Sequence, residues 1–233
     1  MRGKKTKKAK ELKLGELFSS GWDIYKNNFW LIALITLIIY IPINIILNLA
    51  APVEGIESLQ MYVRIANILD FLLGVIAVMA IAYAVDRIVA GKKPKLWESF
   101  KSALLVWDKA ILTSLLASLI LLGLYVLLII PGIIWSVYYT FFIYAVILKK
   151  LKYKTALNYS KGLVRGRWWR VLGISIIVSV GISVAAGIVS GIAAFAGTLA
   201  TNIIADCLFD IIYALREVIM VVFFINLAKI GPK

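Results

Sequence analysis

From Ile111 to Leu148 the chain carries no charged residue. A helix crosses the roughly 30 Å hydrocarbon core of a bilayer with about 20 apolar residues. The run is too long for one crossing and about right for two. Pro131-Gly132 is the natural joint, because proline fixes one turn position and glycine allows positive φ at the next. The spacing therefore predicts one span over about 111–130 and another over 132–148. Composition agrees: 62% of the chain is hydrophobic and only 16% is charged, against about 25% charged in soluble domains. The bilayer is the expected solvent.

Other apolar runs predict spans over about 30–50, 65–89, 171–195 and 203–228. The expected fold is all-α, a six-span polytopic membrane bundle over residues 14–233 behind a disordered basic tail, residues 1–13. Pro42 is expected to kink the first span. Pro52 to Gln60 reads as a short polar loop. Ser183, Gly187 and Gly191 stand four apart in the fifth span and predict a groove for close helix packing.

The net charge of +14 is concentrated in three places. Lysines and one arginine fill the stretch before Leu14. Arg87, Lys92, Lys93, Lys95, Lys101 and Lys109 lie between the second and third spans. Lys149, Lys150, Lys152, Lys154, Lys161, Arg165, Arg167 and Arg170 lie between the fourth and fifth. With six spans all three fall on one side, and the bias of Lys and Arg toward cytoplasmic loops puts both termini in the cytoplasm. The expected location is the plasma membrane of a prokaryote.

Each basic region also has an apolar stripe at helical spacing. Leu14, Leu17, Phe18, Gly21, Trp22 and Tyr25 form one stripe; Leu96, Phe100, Ala103, Leu104 and Trp107 another; Tyr153, Ala156, Leu157, Ser160, Leu163, Val164 and Trp168 a third. Such helices lie at a membrane interface. The segments Leu14 to Asn27, Leu96 to Trp107 and Thr155 to Gly166 are predicted to be helices forming a cytoplasmic collar. Each is followed by two spans, so the chain reads as three repeats in one orientation. Any symmetry would be a pseudo-threefold about the membrane normal.

The stretches GELFSSGWDIYKNNFW (Gly15 to Trp30), GKKPKLWESFKSAL (Gly91 to Leu104), IPGIIWSVYYTFF (Ile130 to Phe142) and ALNYSKGLVRGRWWRVLGI (Ala156 to Ile174) resemble the membrane domain of glycerophosphoryl diester phosphodiesterases and related small prokaryotic membrane proteins of unknown function. The resemblance covers roughly Leu14 to Gly191 and implies a six-helix membrane fold. It implies no catalysis, because the phosphodiesterase activity belongs to a separate barrel of about 250 residues. The last span departs from the pattern, with Arg216 and Glu217 inside it.

Histidine is absent and Cys207 is the only cysteine, so no Cys/His metal cluster can form within the chain. No phosphate loop or nucleophile elbow is found. The chain is expected not to be an enzyme and to need no cofactor. Two groups of residues invite a role. Lys161, Arg165, Arg167, Trp168, Trp169 and Arg170 combine charge with interfacial tryptophans and suit an anionic lipid headgroup; setting topology is their plainer role. Asp70, Asp206, Asp210, Arg216 and Glu217 are ionisable residues in or near spans, which mark ion or proton pathways. The plainer reading starts the last span after Asp210 and leaves both aspartates at the outer surface. Asp70 and Asp206 are candidate partners for Arg64 and Arg216. The function expected first is a non-enzymatic membrane protein that meets anionic lipids or membrane partners at the cytoplasmic face. A small-molecule, ion or lipid transporter is the alternative. Nucleic acid is not expected as a partner, and a protein partner or oligomer is left open.

Overall fold

The computed structural model describes residues 11–49, 56–195 and 198–232, and the described residues contain helices and no strand. Most of the basic tail and residues 50–55 lie outside the described residues; of the loop expected over Pro52 to Gln60, the part from Ile56 is already helical. In chain order the helices are α1 (Leu14–Asn27), α2 (Phe29–Leu49), α3 (Ile56–Leu69), a π turn (Asp70–Gly74), α4 (Val75–Val89), α5 (Leu96–Leu104), α6 (Trp107–Leu127), α7 (Ile129–Tyr138), α8 (Phe142–Lys149), α9 (Tyr153–Val164), α10 (Trp168–Ala194) and α11 (Leu199–Ile230). Five helical stretches have the length and apolarity to cross a membrane: Phe29–Leu49, Leu59–Val89, Trp107–Leu127, Ile129–Lys149 and Trp168–Ile192. Their outward faces are apolar, as at Leu119, Leu122, Val126 and Ile192. Backbone groups in helices are satisfied internally, so such helices are stable in lipid. The chain has the helices of an integral membrane protein.

The sixth long helix, α11, is the centre of the bundle. Its 32 residues span about 48 Å at about 1.5 Å each. Every residue from Glu217 to Leu227 is buried, against α1, α2, α4 and α10. The helix starts at Leu199, where the Thr198 hydroxyl accepts from the Thr201 N–H at 3.2 Å. Asp206 and Asp210 are therefore inside the helix, not before it. A capping threonine upstream of both aspartates sets the helix start, four residues before the expected start of the last span at about 203.

The three amphipathic segments are helical as α1, α5 and α9. The second is shorter than expected: Leu105 and Val106 turn, and Trp107 opens α6. Helix α5 packs on α4, α9 packs on both α6 and α8, and α1 packs on α11. The α1 contact runs antiparallel to α11. The Leu12 N–H reaches Asn226 Oδ1 at 3.1 Å, Gly21 faces Ile219, and the Tyr25 hydroxyl donates to the Ile211 carbonyl at 2.8 Å. Burial pushes the Tyr25 phenol up to about 12, so it stays a donor at neutral pH.

Three local expectations change. The chain turns at Leu128, whose backbone is extended, and Pro131 sits in the first turn of α7, where its missing N–H has no helical partner to lose. Gly132 is needed for space rather than for φ, since a Cβ there would collide with the Tyr125 ring. The fourth span, expected as one helix, breaks at Tyr139–Phe141 into α7 and α8. Ser160 of α9 satisfies the break: its hydroxyl accepts from the Phe141 N–H at 3.0 Å and donates to the Tyr138 carbonyl at 2.7 Å. In the second span, the π turn leaves the Leu72 carbonyl to accept from the Trp107 indole N–H at 2.7 Å. Finally, α10 packs through Val171, Ile174, Val178, Ile182 and Ala186. The expected groove at Ser183, Gly187 and Gly191 is on the other side, with open space beside Gly187 and Gly191.

Candidate polar seam between α2 and α11

Helix α2 is apolar except for Thr36, Tyr40, Asn44 and Asn48. These stand four apart and so form one ridge, since residues four apart are neighbours on a helix surface. On α11 the facing ridge is Asp206, Asp210, Tyr213 and Glu217. The two helices pack against each other, and the ridges meet. Asn48 Nδ2 donates to Asp206 Oδ2 at 2.7 Å and to the Asn44 carbonyl at 2.9 Å. Asn44 Nδ2 donates to Asp210 Oδ2 at 2.8 Å. The Tyr40 hydroxyl, one turn along the α2 ridge from Asn44, donates to Asp70 Oδ1 at 2.9 Å, so the π turn meets the same ridge. Gly74 makes this possible, because a Cβ there would occupy the place of the Asp70 carboxylate and crowd the Tyr40 hydroxyl.

Below these bonds lies a cavity of about 50 Å³, lined by Thr36, Tyr40, Asp210, Tyr213 and Glu217 with an apolar wall from Ala77, Val78 and Ile81 of α4. A single water needs about 10–15 Å³ of such space and two to four polar partners. The cavity meets both conditions. Its deep end is Glu217, only 7% exposed. The Tyr144 hydroxyl donates to Glu217 Oε2 at 2.7 Å, and the Arg216 guanidinium pairs with the other oxygen. Arg216 Nε also donates to Ser179 Oγ at 2.9 Å. A buried carboxylate with a cation and hydroxyl around it avoids the several-kcal/mol cost of an unpaired buried charge. Beyond Glu217 the path stops: Val218 to Ile225 are buried and apolar, and Phe141, Tyr144, Phe223 and Phe224 form an aromatic cluster there.

The structure thus sets Asp206 and Asp210 against Asn48 and Asn44, Asp70 against Tyr40, and Glu217 between Tyr144 and Arg216; the cavity lined by Tyr40, Asp210 and Glu217 lies between these three sets. The expected pairings are different. Arg216 takes Glu217 and Ser179 rather than Asp206, and Asp70 takes Tyr40; among the described residues no ion pair joins Arg64 to Asp70. Thr36, Tyr40, Asn44, Asn48, Tyr144 and Ser179 were not singled out from sequence. The four-residue spacing of the α2 polar residues in an apolar run is the signal that marks them. No group of three or more His, Cys, Asp or Glu among the described residues is placed to hold a metal ion.

The basic headgroup candidates are not one patch. Lys161 lies over the Trp135 ring, 4.0 Å from its centroid. Arg167, 6% exposed, pairs with Glu11 and donates to the Leu163 and Gly231 carbonyls. Arg170 pairs with the other Glu11 oxygen and with the Leu12 carbonyl. The Trp168 indole donates to the Ile134 carbonyl at 3.1 Å. Arg165 is exposed, and Trp169 is 79% exposed. Two of the arginines therefore tie the chain start to α10 and the chain end. No protein-family model, curated protein or solved structure matches the chain.

Proposed function

We propose that the chain is a six-span membrane transporter in which the α2–α11 seam moves protons. The observation that carries this reading is the line of four carboxylates along the seam, each hydrogen-bonded to an Asn or Tyr, with Asp210 and Glu217 lining a cavity the size of a few waters. Ionisable groups inside a membrane protein are costly and belong to pathways and relays. Asp206 and Asp210 take protons at the Asn48 end. The cavity links them to Tyr40 and Glu217. The aromatic cluster below Glu217 is the closed gate of this state, and release to the other side requires it to part.

Six crossings are supported by the ends of the chain. Leu12 and Glu11 meet Asn226, Arg167 and Arg170, so both ends and the third basic loop are together, and an even number of crossings does this. The resemblance to the phosphodiesterase membrane domain implies the same number. The Lys and Arg bias puts that end in the cytoplasm and the mouth of the seam outside, in the plasma membrane of a prokaryotic cell. The order of elements, in which α1, α5 and α9 each lead into a long helix, supports three repeats about a pseudo-threefold axis. Proton uptake into liposomes carrying the purified protein, driven by an imposed potential, tests the reading. Uptake above that of protein-free liposomes supports it, and equal uptake rejects it.

A further inference from the structure

Two hollows on the face of the bundle away from α2 join into one groove. The larger, about 700 Å³, lies between α1, α10 and α11 and is lined by apolar residues, among them Phe18, Trp22, Ile177, Gly181, Ala185 and Leu215. The smaller, about 430 Å³, is lined by Glu11, Lys13, Trp169 and Arg170 with Gly173 and Ile174. Leu14 and Ile177 line both, so the second is the mouth of the first. The groove is apolar along its length and charged at one end only.

The charge at that end is positive. Glu11 is shared by Arg167 and Arg170, and one carboxylate balances one guanidinium. With both guanidiniums on that one carboxylate and Lys13 exposed beside them, the net charge there is positive. Arg170 and Lys13 line the mouth, and Trp169 stands beside them with 79% of its surface exposed, the position a tryptophan takes at a headgroup boundary. An apolar channel with a cationic, tryptophan-flanked mouth matches a molecule with one negative head and a long hydrocarbon tail. A volume of several hundred Å³ is in the range of ligand-holding clefts.

We propose that this groove holds an anionic phospholipid, with its phosphate at Lys13 and Arg170 and one acyl chain laid between α1 and α10. The site is independent of the proton seam, which lies on the α2 side of α11. Two glycines make a clean test. Gly181 lines the groove and Gly187 does not, and a Cβ at either meets nothing within 4 Å. A leucine at 181 starts in open space and extends into the channel; leucine at 187 is the control.

The full chain, stripped of lipid in detergent, is mixed with equal amounts of phosphatidylglycerol and phosphatidylcholine of the same acyl chains, and retained lipid is read by native mass spectrometry. The wild type and Gly187→Leu should retain phosphatidylglycerol in at least several-fold preference. Gly181→Leu should lose most of the retained lipid, and Lys13→Gln should lose the preference for the anionic head while still holding lipid. Equal retention of the two lipids by the wild type, or full retention by Gly181→Leu, overturns the site. Neither result bears on proton uptake.

Discussion

A methyl group at Gly21 should loosen α1 from the bundle. Gly21 is buried on the docked face of α1, and a Cβ there would sit 2.5 Å from Ile219 Cγ1, 3.2 Å from Ile219 Cα and 3.3 Å from Ile219 Cβ. Ile219 is fully buried and its Cγ1 is close to the backbone, so it has no room to swing away. Overpacking of this kind costs about 1–3 kcal/mol. Against it stands the helix propensity of alanine over glycine, about 1 kcal/mol. Gly21→Ala should therefore destabilise by up to about 2 kcal/mol from the difference of those two terms. Gly15 supplies the reference, because it lies in the same helix and a Cβ there meets nothing within 4 Å. Gly15→Ala should be neutral or stabilising by up to about 1 kcal/mol. Ile219→Ala removes the colliding Cγ1, so adding Gly21→Ala to that variant should cost little or help. Unfolding by dodecyl sulfate titration, followed by circular dichroism, measures all four proteins. If Gly21→Ala behaves like Gly15→Ala, α1 does not dock on Ile219 and the arrangement of α1 is wrong.

Gly132→Ala should also destabilise, because its methyl would enter the space of the Tyr125 ring; Tyr125→Ala should relieve it, and the same titration reads both. Trp107→Phe keeps the apolar ring and removes the donor to the Leu72 carbonyl. It should cost about 1 kcal/mol, typical of one hydrogen bond in a membrane protein, and should raise hydrogen exchange at the Asp70–Gly74 turn; unchanged exchange there would mean the indole does not support the turn.

The five apolar stretches and the three amphipathic helices were legible because membrane burial requires long, largely uncharged runs, and the basic residues cluster between them. The turn at Leu128 was not, because proline attracts the prediction while its actual place, in the first turn of α7, depends on nothing but the missing N–H. The break at Tyr139–Phe141 is invisible in the sequence around it, since the hydroxyl that satisfies it is Ser160, on another helix. The place of Asp206 and Asp210, inside a helix or at its edge, is not decided by the residues around them; the partners Asn44 and Asn48 are on another helix. The seam is a property of two helices far apart in sequence. Each ridge is readable by its spacing, and their register is set by packing. The basic residues from Lys161 to Arg170 mislead in the opposite way: charge alone suggests one patch, whereas Glu11, which precedes α1, occupies Arg167 and Arg170.

The central claim is that protons pass through the array around Asp210. The most direct measurement compares proton uptake under an imposed potential between wild-type proteoliposomes and Asp210→Asn, a near-isosteric change that keeps a hydrogen-bonding side chain opposite Asn44 but cannot ionise. Matching dodecyl sulfate midpoints would show that both proteins are folded. The account predicts that uptake in Asp210→Asn falls to the level of protein-free liposomes. Uptake equal to the wild type in a folded Asp210→Asn protein would contradict it, and would leave the seam as a set of hydrogen bonds that hold α2 to α11.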